Sequence, residues 1–199
     1  MLTAILFTVV ASLADHNVIV LRSDGAPGGA AVLVAPSLIL TAAHVLKASI
    51  VAVVCGGKTV LPAAVISIDV LGDIALLATP APCDGTRISP IALTDPEPGT
   101  DLFAVGCPNQ ACGRLTKGIV SAYEEGVGSV GTELISDVKI WFGSSGGGLL
   151  DKDGCLVGIV SNVQRFTNPN SPGFDVLYAA AVPASRIRAW LKLEGIDLQ

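Results

Sequence analysis

The apolar residues of this chain fall in short runs, separated by turns that are rich in glycine, proline, aspartate and asparagine. Such runs are typical of β-strands, whereas a helix requires a longer segment with a hydrophobic period of about 3.6 residues. Helical periodicity is scarce along most of the sequence. We therefore interpret the chain as mainly strands, at residues 17–21, 30–35, 49–54, 60–67, 74–78, 101–106, 118–122, 133–136, 147–150, 156–163 and 176–181.

The last residues follow a different pattern. After Pro183, the apolar residues Ile187, Trp190 and Leu191 recur at helical spacing, and Gly195 is a residue that ends helices. The pattern predicts a closing helix within 184–199 that packs against the preceding strands.

The stretch 93–100 carries prolines and acidic residues between apolar runs, and it predicts a boundary between two units, 15–93 and 94–183. Residues 1–14 are almost wholly apolar but contain no lysine or arginine. Two interpretations of them stay open, an export signal cleaved before Asp15 and a buried first strand or helix. The run is shorter than the roughly 20 residues that span a bilayer, so we expect no stable membrane insertion.

The composition narrows the class of protein. The chain has 199 residues, of which 51% are hydrophobic and 22 are glycine, which suits short buried strands joined by tight turns. The net charge is −5, and no basic stripe is present to neutralise phosphates, so we expect no nucleic-acid partner. The sequence contains no glycine–lysine phosphate loop and no CxxC pair, so we expect no nucleotide, metal or other cofactor.

The five cysteines allow two local disulfides. Cys107 and Cys112 flank residues 108–111, and Cys55 and Cys83 both fall in the first unit, which leaves Cys155 unpaired. The spacing does not establish either bond. The compartment therefore stays open between export, to the periplasm or the outside, and the cytoplasm.

The candidate chemistry centres on Gly143-Ser144-Ser145-Gly146-Gly147, a glycine-rich turn between apolar segments. A serine hydroxyl is nucleophilic there only if a base removes its proton and hydrogen-bond donors stabilise the oxyanion. Of the two histidines, His44 follows an apolar strand and small residues, whereas His16 lies at a polar strand start. Asp73 opens an apolar strand and is the candidate acid that orients the imidazole, with Asp69 as its rival.

Each of these residues alone is more often structural, but their joint occurrence in the order His, Asp, Ser indicates a catalytic role. The segments Thr41-Ala42-Ala43-His44, Asp73-Ile74-Ala75-Leu76-Leu77 and Gly143-Ser144-Ser145-Gly146-Gly147 resemble the catalytic motifs of the chymotrypsin-like, or trypsin-fold, serine proteases. The resemblance is closest to the bacterial HtrA-type (Deg) branch and to similar small bacterial and phage domains. It extends over roughly residues 17–190, through 105–109, 118–122, 136–137, 158–162 and 181–183.

The resemblance implies an all-β fold of two six-stranded antiparallel β-barrels with a C-terminal helix, and a cleft between the barrels. It implies Ser145 as nucleophile, His44 as general base and then acid, and Asp73 as the group that holds the imidazole tautomer. The backbone N–H groups of Gly143 and Ser145 would form the oxyanion hole. The implied activity is hydrolysis of protein or peptide substrates through an acyl-enzyme. A catalytically silent peptide-binding module and an esterase on the same scaffold remain as alternatives.

The chain departs from the family pattern beside the nucleophile. Ser144 stands where digestive relatives have an aspartate and HtrA-type ones commonly an asparagine, which argues against activation by a new N-terminal amine. Gly148 replaces the usual proline. Trp141 and Phe142 predict an apolar cleft. A Gly146-Gly147-Gly148 run would also permit the distorted resting loop that HtrA-type proteases adopt.

The resemblance assigns the substrate pocket to Lys139, Ile140, Val160, Ser161 and Asn162. No acidic residue stands among them, so we expect a preference for aliphatic or other uncharged side chains before the cleaved bond. Lys139 pointing inward would instead favour acidic substrates. No PDZ-like segment follows the second unit, so we expect no regulation through such a module, and the oligomeric state is not determined by the sequence.

Overall fold

Two closed antiparallel barrels, each of six strands, make up most of the computed structural model, which describes residues 13–126, 130–167 and 175–198. A single α-helix follows the last strand within this part of the chain. The predicted fold class is therefore confirmed. The strands are β1 (Asn17–Leu21), β2 (Pro27–Ala35), β3 (Leu38–Thr41), β4 (Ile50–Cys55), β5 (Thr59–Asp69), β6 (Ile74–Ala78), β7 (Asp101–Gly106), β8 (Arg114–Glu125), β9 (Thr132–Ser136), β10 (Gly148–Leu150), β11 (Leu156–Thr167) and β12 (Asp175–Pro183), and the helix is α1 (Ala184–Leu193).

The two barrels have the same strand order. The first runs β1-β2-β3-β6-β5-β4 and closes through β1 and β4, and the second runs β7-β8-β9-β12-β11-β10 and closes through β7 and β10. Closure leaves no unpaired sheet edge in either barrel. Short 3₁₀ turns lie at Ala14–His16, Ala43–Val45 and Pro108–Gln110.

Strand β2 is buried on both faces because it serves two cores. Ala31 and Leu33 pack inside the first barrel. Val32 and Val34 alternate with them and join a core shared between the barrels, to which Phe103 of the second barrel also belongs. Successive strand side chains point to opposite faces, so one strand can contribute to both cores. This shared core fixes the position of one barrel against the other.

Helix α1 closes the shared core. Ile187 and Leu191, one turn apart, are buried in it. The carboxylate of Asp95, in the segment between the barrels, accepts hydrogen bonds from the Ser185 backbone N–H at 2.9 Å and from its hydroxyl at 2.5 Å. A carboxylate at a helix N-terminus satisfies unpaired N–H groups there. The helix ends before Gly195, whose φ is +72°.

Two disulfides join Cys55 to Cys83 and Cys107 to Cys112, and Cys155 is a free cysteine. Both pairings that the sequence allowed are thus present. Most of the segment 1–14, for which two interpretations stayed open, lies outside the described residues. Within the described part of the chain, no helix is long and apolar enough to cross a membrane.

Candidate active site

His44 is held at the end of β3, in the 3₁₀ turn Ala43–Val45. The buried hydroxyl of Thr41, just before this turn, donates to the Ala30 carbonyl at 2.8 Å and ties the strand end to β2. The backbone N–H of His44 donates to Asp73 Oδ1 at 3.0 Å. The imidazole itself is half exposed and faces the cleft between the barrels.

Asp73 lies in the turn before β6, with a φ of +53° that aspartate tolerates better than most residues. It is only 7% exposed. Both of its carboxylate oxygens lie 3.0 Å from His44 Nδ1. Its rival Asp69 instead accepts a hydrogen bond from the Gly72 N–H at 2.8 Å and shapes the same turn. The structure therefore brings Asp73, and not Asp69, to the imidazole.

A second donor to Asp73 comes from the other barrel. The Ser161 hydroxyl, buried on β11, donates to Asp73 Oδ2 at 2.5 Å. Burial raises the pKa of Asp73, but the hydrogen bonds from the His44 side chain, from Ser161 and from the His44 backbone outweigh it and hold the pKa below its ordinary value. The carboxylate is thus ionised near neutral pH. The sequence interpretation had Ser161 only as a pocket residue and missed this bond.

An ionised carboxylate only accepts hydrogen bonds, so His44 Nδ1 must be the donor in this pair. In a neutral imidazole the other ring nitrogen, Nε2, then carries the lone pair. The contact with Asp73 therefore fixes the tautomer in which Nε2 can accept a proton.

Ser145 lies on the turn before β10, and neighbouring backbone groups hold this turn against both barrels. The Ser145 carbonyl accepts the Ala30 N–H at 2.9 Å, and the Gly146 N–H donates to the Val160 carbonyl at 2.7 Å. Gly146 has a φ of +83°, and a Cβ there would overlap the Ala30 carbonyl and the Thr41 hydroxyl. Only glycine lets the serine turn approach the strand that carries His44.

The Ser145 hydroxyl donates to the Ser161 carbonyl at 3.4 Å. No hydrogen bond joins Ser145 to His44 in the described structure, although both side chains line the same two cavities. Hydrogen bonds of this kind are often long in an enzyme without substrate and shorten when substrate binds. The neighbouring Ser144 is buried, and its hydroxyl accepts the Trp141 N–H at 3.2 Å.

The peptide between Phe142 and Gly143 has a defined orientation. The Phe142 carbonyl accepts the Asn109 backbone N–H at 2.7 Å. In a trans peptide the N–H and C=O groups point in opposite directions, so the Gly143 N–H points away from Asn109. Within the described residues, neither the Gly143 N–H nor the Ser145 N–H donates to another protein group. This geometry argues against a distorted resting loop.

Two cavities share His44, Phe142 and Ser145 among their lining residues. One, of about 710 Å³, is lined by the predicted residues Ile140, Ser161 and Asn162. Lys139 and Val160 do not line it, because the Lys139 side chain is exposed to solvent and Val160 is buried in the second barrel. Its other lining residues include Trp141 and Phe142, which the sequence interpretation placed at the cleft, and Leu177. The sequence interpretation missed Val163 and Arg165, which also line this cavity. The strand period of two from Ser161 would have found Val163 and Arg165.

The second cavity, of about 880 Å³, lies on the first-barrel side of Ser145 and also includes Gly143. Lys47, on its wall, donates from Nζ to the His44 carbonyl at 3.0 Å. Phe142 is 81% exposed and Trp141 is 51% exposed, and their rings meet edge to face with centroids 5.6 Å apart. In the part of the chain that the structure describes, no group of three His, Cys, Asp or Glu residues is placed to hold a metal ion.

Known proteases are similar to this chain in sequence. Over 147 residues the chain is 33% identical to Protease Do-like 1, chloroplastic, from Arabidopsis thaliana, with 69% of this chain and 34% of that protein covered. It is 30% identical over 173 residues to Serine protease HTRA1B from Danio rerio, with 83% of this chain and 34% of that protein covered. The chain thus spans about a third of the length of these curated relatives.

A solved structure with the same fold is the serine endoprotease from Yersinia pestis, at 25% identity and a TM-score of 0.73, covering 94% of this chain and 65% of that one. The family model described as the trypsin-like peptidase domain matches residues 29–159. This match covers more than half of the sequence and includes all three segments that resemble catalytic motifs. The chain therefore belongs to the trypsin-like peptidase domain family of serine proteases.

Proposed function

We propose that this chain is a serine endopeptidase domain in which Ser145, His44 and Asp73 form the catalytic triad. The observation that carries the proposal is the placement of His44 Nδ1 at 3.0 Å from both oxygens of a buried carboxylate, with Ser145 on the wall of the same cavity. A structural histidine has no need of a fixed tautomer that leaves Nε2 directed at a cleft. Membership of a protease family supports protein or peptide substrates.

The reaction follows from these groups. His44 Nε2 takes the proton from the Ser145 hydroxyl while the Ser145 oxygen forms a bond to the substrate carbonyl carbon. The resulting oxyanion accepts hydrogen bonds from the Gly143 and Ser145 N–H groups, which have no other acceptor in the described structure. The protonated His44 then gives its proton to the leaving amine nitrogen, and the peptide C–N bond breaks to leave an ester on Ser145. Water attacks this ester, His44 takes its proton, and the acid product leaves as Ser145 is protonated again.

The substrate residue before the cleaved bond would enter the 710 Å³ cavity. Its walls are mainly apolar, with contributions from Ile140, Trp141 and Leu177, and no acidic residue lines it among the described residues. We therefore propose a preference for uncharged, mainly aliphatic side chains at this subsite.

The two disulfides support a further part of the proposal, that the domain works in an oxidising compartment after export or import. Disulfides persist in such compartments and are rare in the reducing cytosol. Counting thiols in protein isolated from its native cell tests this. Five alkylated cysteines in place of one would contradict it.

The activity is tested with a library of internally quenched peptides, with cleavage sites read by mass spectrometry. We expect wild-type protein to cleave after uncharged residues and Ser145→Ala to show no cleavage. Ser144→Ala is the matched control, because it removes a neighbouring hydroxyl that faces the protein interior. Cleavage by Ser145→Ala, or cleavage mainly after lysine or arginine, would contradict the proposal. Hydrolysis of esters but of no peptide would indicate an esterase.

A further inference from the structure

We propose that the loop from Cys107 to Cys112, closed by its disulfide, positions the oxyanion hole through the Asn109 backbone N–H, so that reduction of this disulfide lowers turnover. The inference rests on the proposed endopeptidase function. Asn109 does not touch the substrate. It acts through the peptide between Phe142 and Gly143, and is therefore a positioning residue.

The contact that carries the inference is the hydrogen bond from the Asn109 N–H to the Phe142 carbonyl at 2.7 Å. A peptide can turn over as a unit between its two flanking bonds, because the peptide bond itself stays planar. In the turned orientation the Phe142 carbonyl would point into the cleft and the Gly143 N–H out of it. The hydrogen bond from Asn109 exists only in the orientation that presents the Gly143 N–H to the cleft, and it therefore favours that orientation.

The same loop touches Gly143 at a second point. The Cys107 carbonyl lies so close that a Cβ on Gly143 would overlap it, and the Asn109 nitrogen would lie 3.8 Å from that Cβ. Just before the loop, a Cβ on Gly106 would lie 3.1 Å from the Ser144 Cα. The loop and the nucleophile turn are thus packed backbone against backbone. A change of loop shape is transmitted directly to the peptide that carries the Gly143 N–H.

The loop has a conformation that needs support. Asn109 and Gln110 are consecutive non-glycine residues with φ of +48° and +65°. Left-handed backbone is unfavourable for most residues, and less so for asparagine than for glutamine. Two hydrogen bonds inside the loop, from Gln110 to Cys107 and from Ala111 to Pro108, accompany it. The disulfide removes most open conformations that the free segment could adopt, which is how a short cross-link favours a strained turn.

The two disulfides differ in exposure, and the disulfide in the loop is the one that a reductant can reach. Cys55 and Cys83 are both buried in the first barrel. Cys107 is buried as well, but Cys112 is partly exposed. A dithiol reductant can attack Cys112 Sγ and release the Cys107 thiolate, which takes a proton. The second reductant thiol then displaces Cys112, so that two electrons pass to the protein, which gains two thiols, and the reductant closes to a cyclic disulfide.

The test measures kcat and KM on a cleaved peptide before reduction with dithiothreitol, after it, and after reoxidation. We expect reduction to lower kcat at least about 10-fold with KM nearly unchanged, because an oxyanion-hole donor acts in the transition state. Affinity for a peptide aldehyde, whose hemiacetal oxygen occupies the hole, should fall in parallel. Reoxidation should restore both, which a loss of folding would not.

Matched variants assign the effect to one disulfide. Cys107→Ser/Cys112→Ser should show the low kcat permanently and no response to dithiothreitol. Cys55→Ser/Cys83→Ser should still respond, since its remaining disulfide is the one in the loop. Asn109→Val disfavours the left-handed backbone and Asn109→Gly allows it, so kcat of the valine variant should be the lower.

Three results would overturn the inference. If mass spectrometry finds Cys107 and Cys112 alkylated and kcat is unchanged, the loop does not position the oxyanion hole, while the endopeptidase function stands. If oxidised wild-type protein cleaves no peptide at all, the proposed function fails and the inference fails with it. An equal response in Cys107→Ser/Cys112→Ser would assign the effect to another group and also overturns it.

Discussion

Gly143→Ala perturbs the proposed oxyanion hole at its most constrained point. Gly143 has a φ of +94°, and a Cβ added there would overlap the Cys107 carbonyl. The backbone conformation alone costs alanine about 1–2 kcal/mol, and overpacking typically costs about 1–3 kcal/mol. We therefore expect a loss of unfolding free energy of about 2–5 kcal/mol. Relief of the overlap must move the Gly143 N–H, so kcat should fall about 100- to 1000-fold.

Gly99 offers a matched control for this substitution. Its φ is +90°, but nothing lies within 4 Å of the position that a Cβ would take. Gly99→Ala should therefore cost only the backbone part, about 1–2 kcal/mol, and leave kcat unchanged. Urea denaturation gives the two free energies of unfolding, and peptide cleavage gives kcat and KM. Equal destabilisation by the two substitutions, or full kcat in folded Gly143→Ala, would refute the reasoning.

Three further predictions concern buried or partly buried polar groups. Ser161→Ala removes a donor to Asp73 and so raises the pKa of this carboxyl. Stability from a depressed carboxyl pKa is lost as the pH falls through the pKa of the folded state, so acid unfolding of the variant should begin at higher pH. Its kcat should also fall about 10-fold with KM unchanged. Burial, aided by Arg87, lowers the pKa of His16 below 6.5, so the unfolded state binds this proton first as the pH falls. The free energy of unfolding should therefore fall as the pH drops below about 6.5. Urea denaturation at a series of pH values should show a weaker pH dependence for His16→Gln, and an unchanged pH dependence would contradict this. The Tyr123 hydroxyl donates to the Pro96 carbonyl at 2.7 Å, and burial, together with the charges of Asp95 and Glu97, raises its pKa to about 12. An absorbance titration should therefore show one of the two tyrosines ionising at higher pH than the other. Tyr123→Phe should abolish that phase and lower the free energy of unfolding, measured by thermal unfolding, by about 1 kcal/mol.

The fold was predictable because turn residues mark the strand ends. The predicted runs 17–21, 74–78 and 101–106 match β1, β6 and β7 to the residue. Strands β8 and β11 are longer than predicted. Their unpredicted ends include polar residues such as Arg114, Glu124 and Arg165, and are held by pairing with neighbouring strands. Such pairing depends on partners distant in sequence, which local hydrophobicity does not report.

The site was predictable only where chemistry and spacing suffice. His44 and Ser145 stand out by residue type and by their neighbours, but Asp69 and Asp73 flank the same turn and only the fold separates them. The bond from Ser161 to Asp73 joins residues 88 positions apart. The contact of Asn109 with Phe142 is made by backbone atoms, whose partners residue type does not reveal.

The central claim, that Ser145 is a nucleophile activated by His44, is tested most directly by labelling with a fluorophosphonate probe and mapping the labelled peptide. We expect one label, on Ser145 in wild-type protein and in Ser144→Ala, and none in Ser145→Ala or His44→Ala. Folded wild-type protein that takes up no label, or a label that persists in Ser145→Ala, would contradict the account.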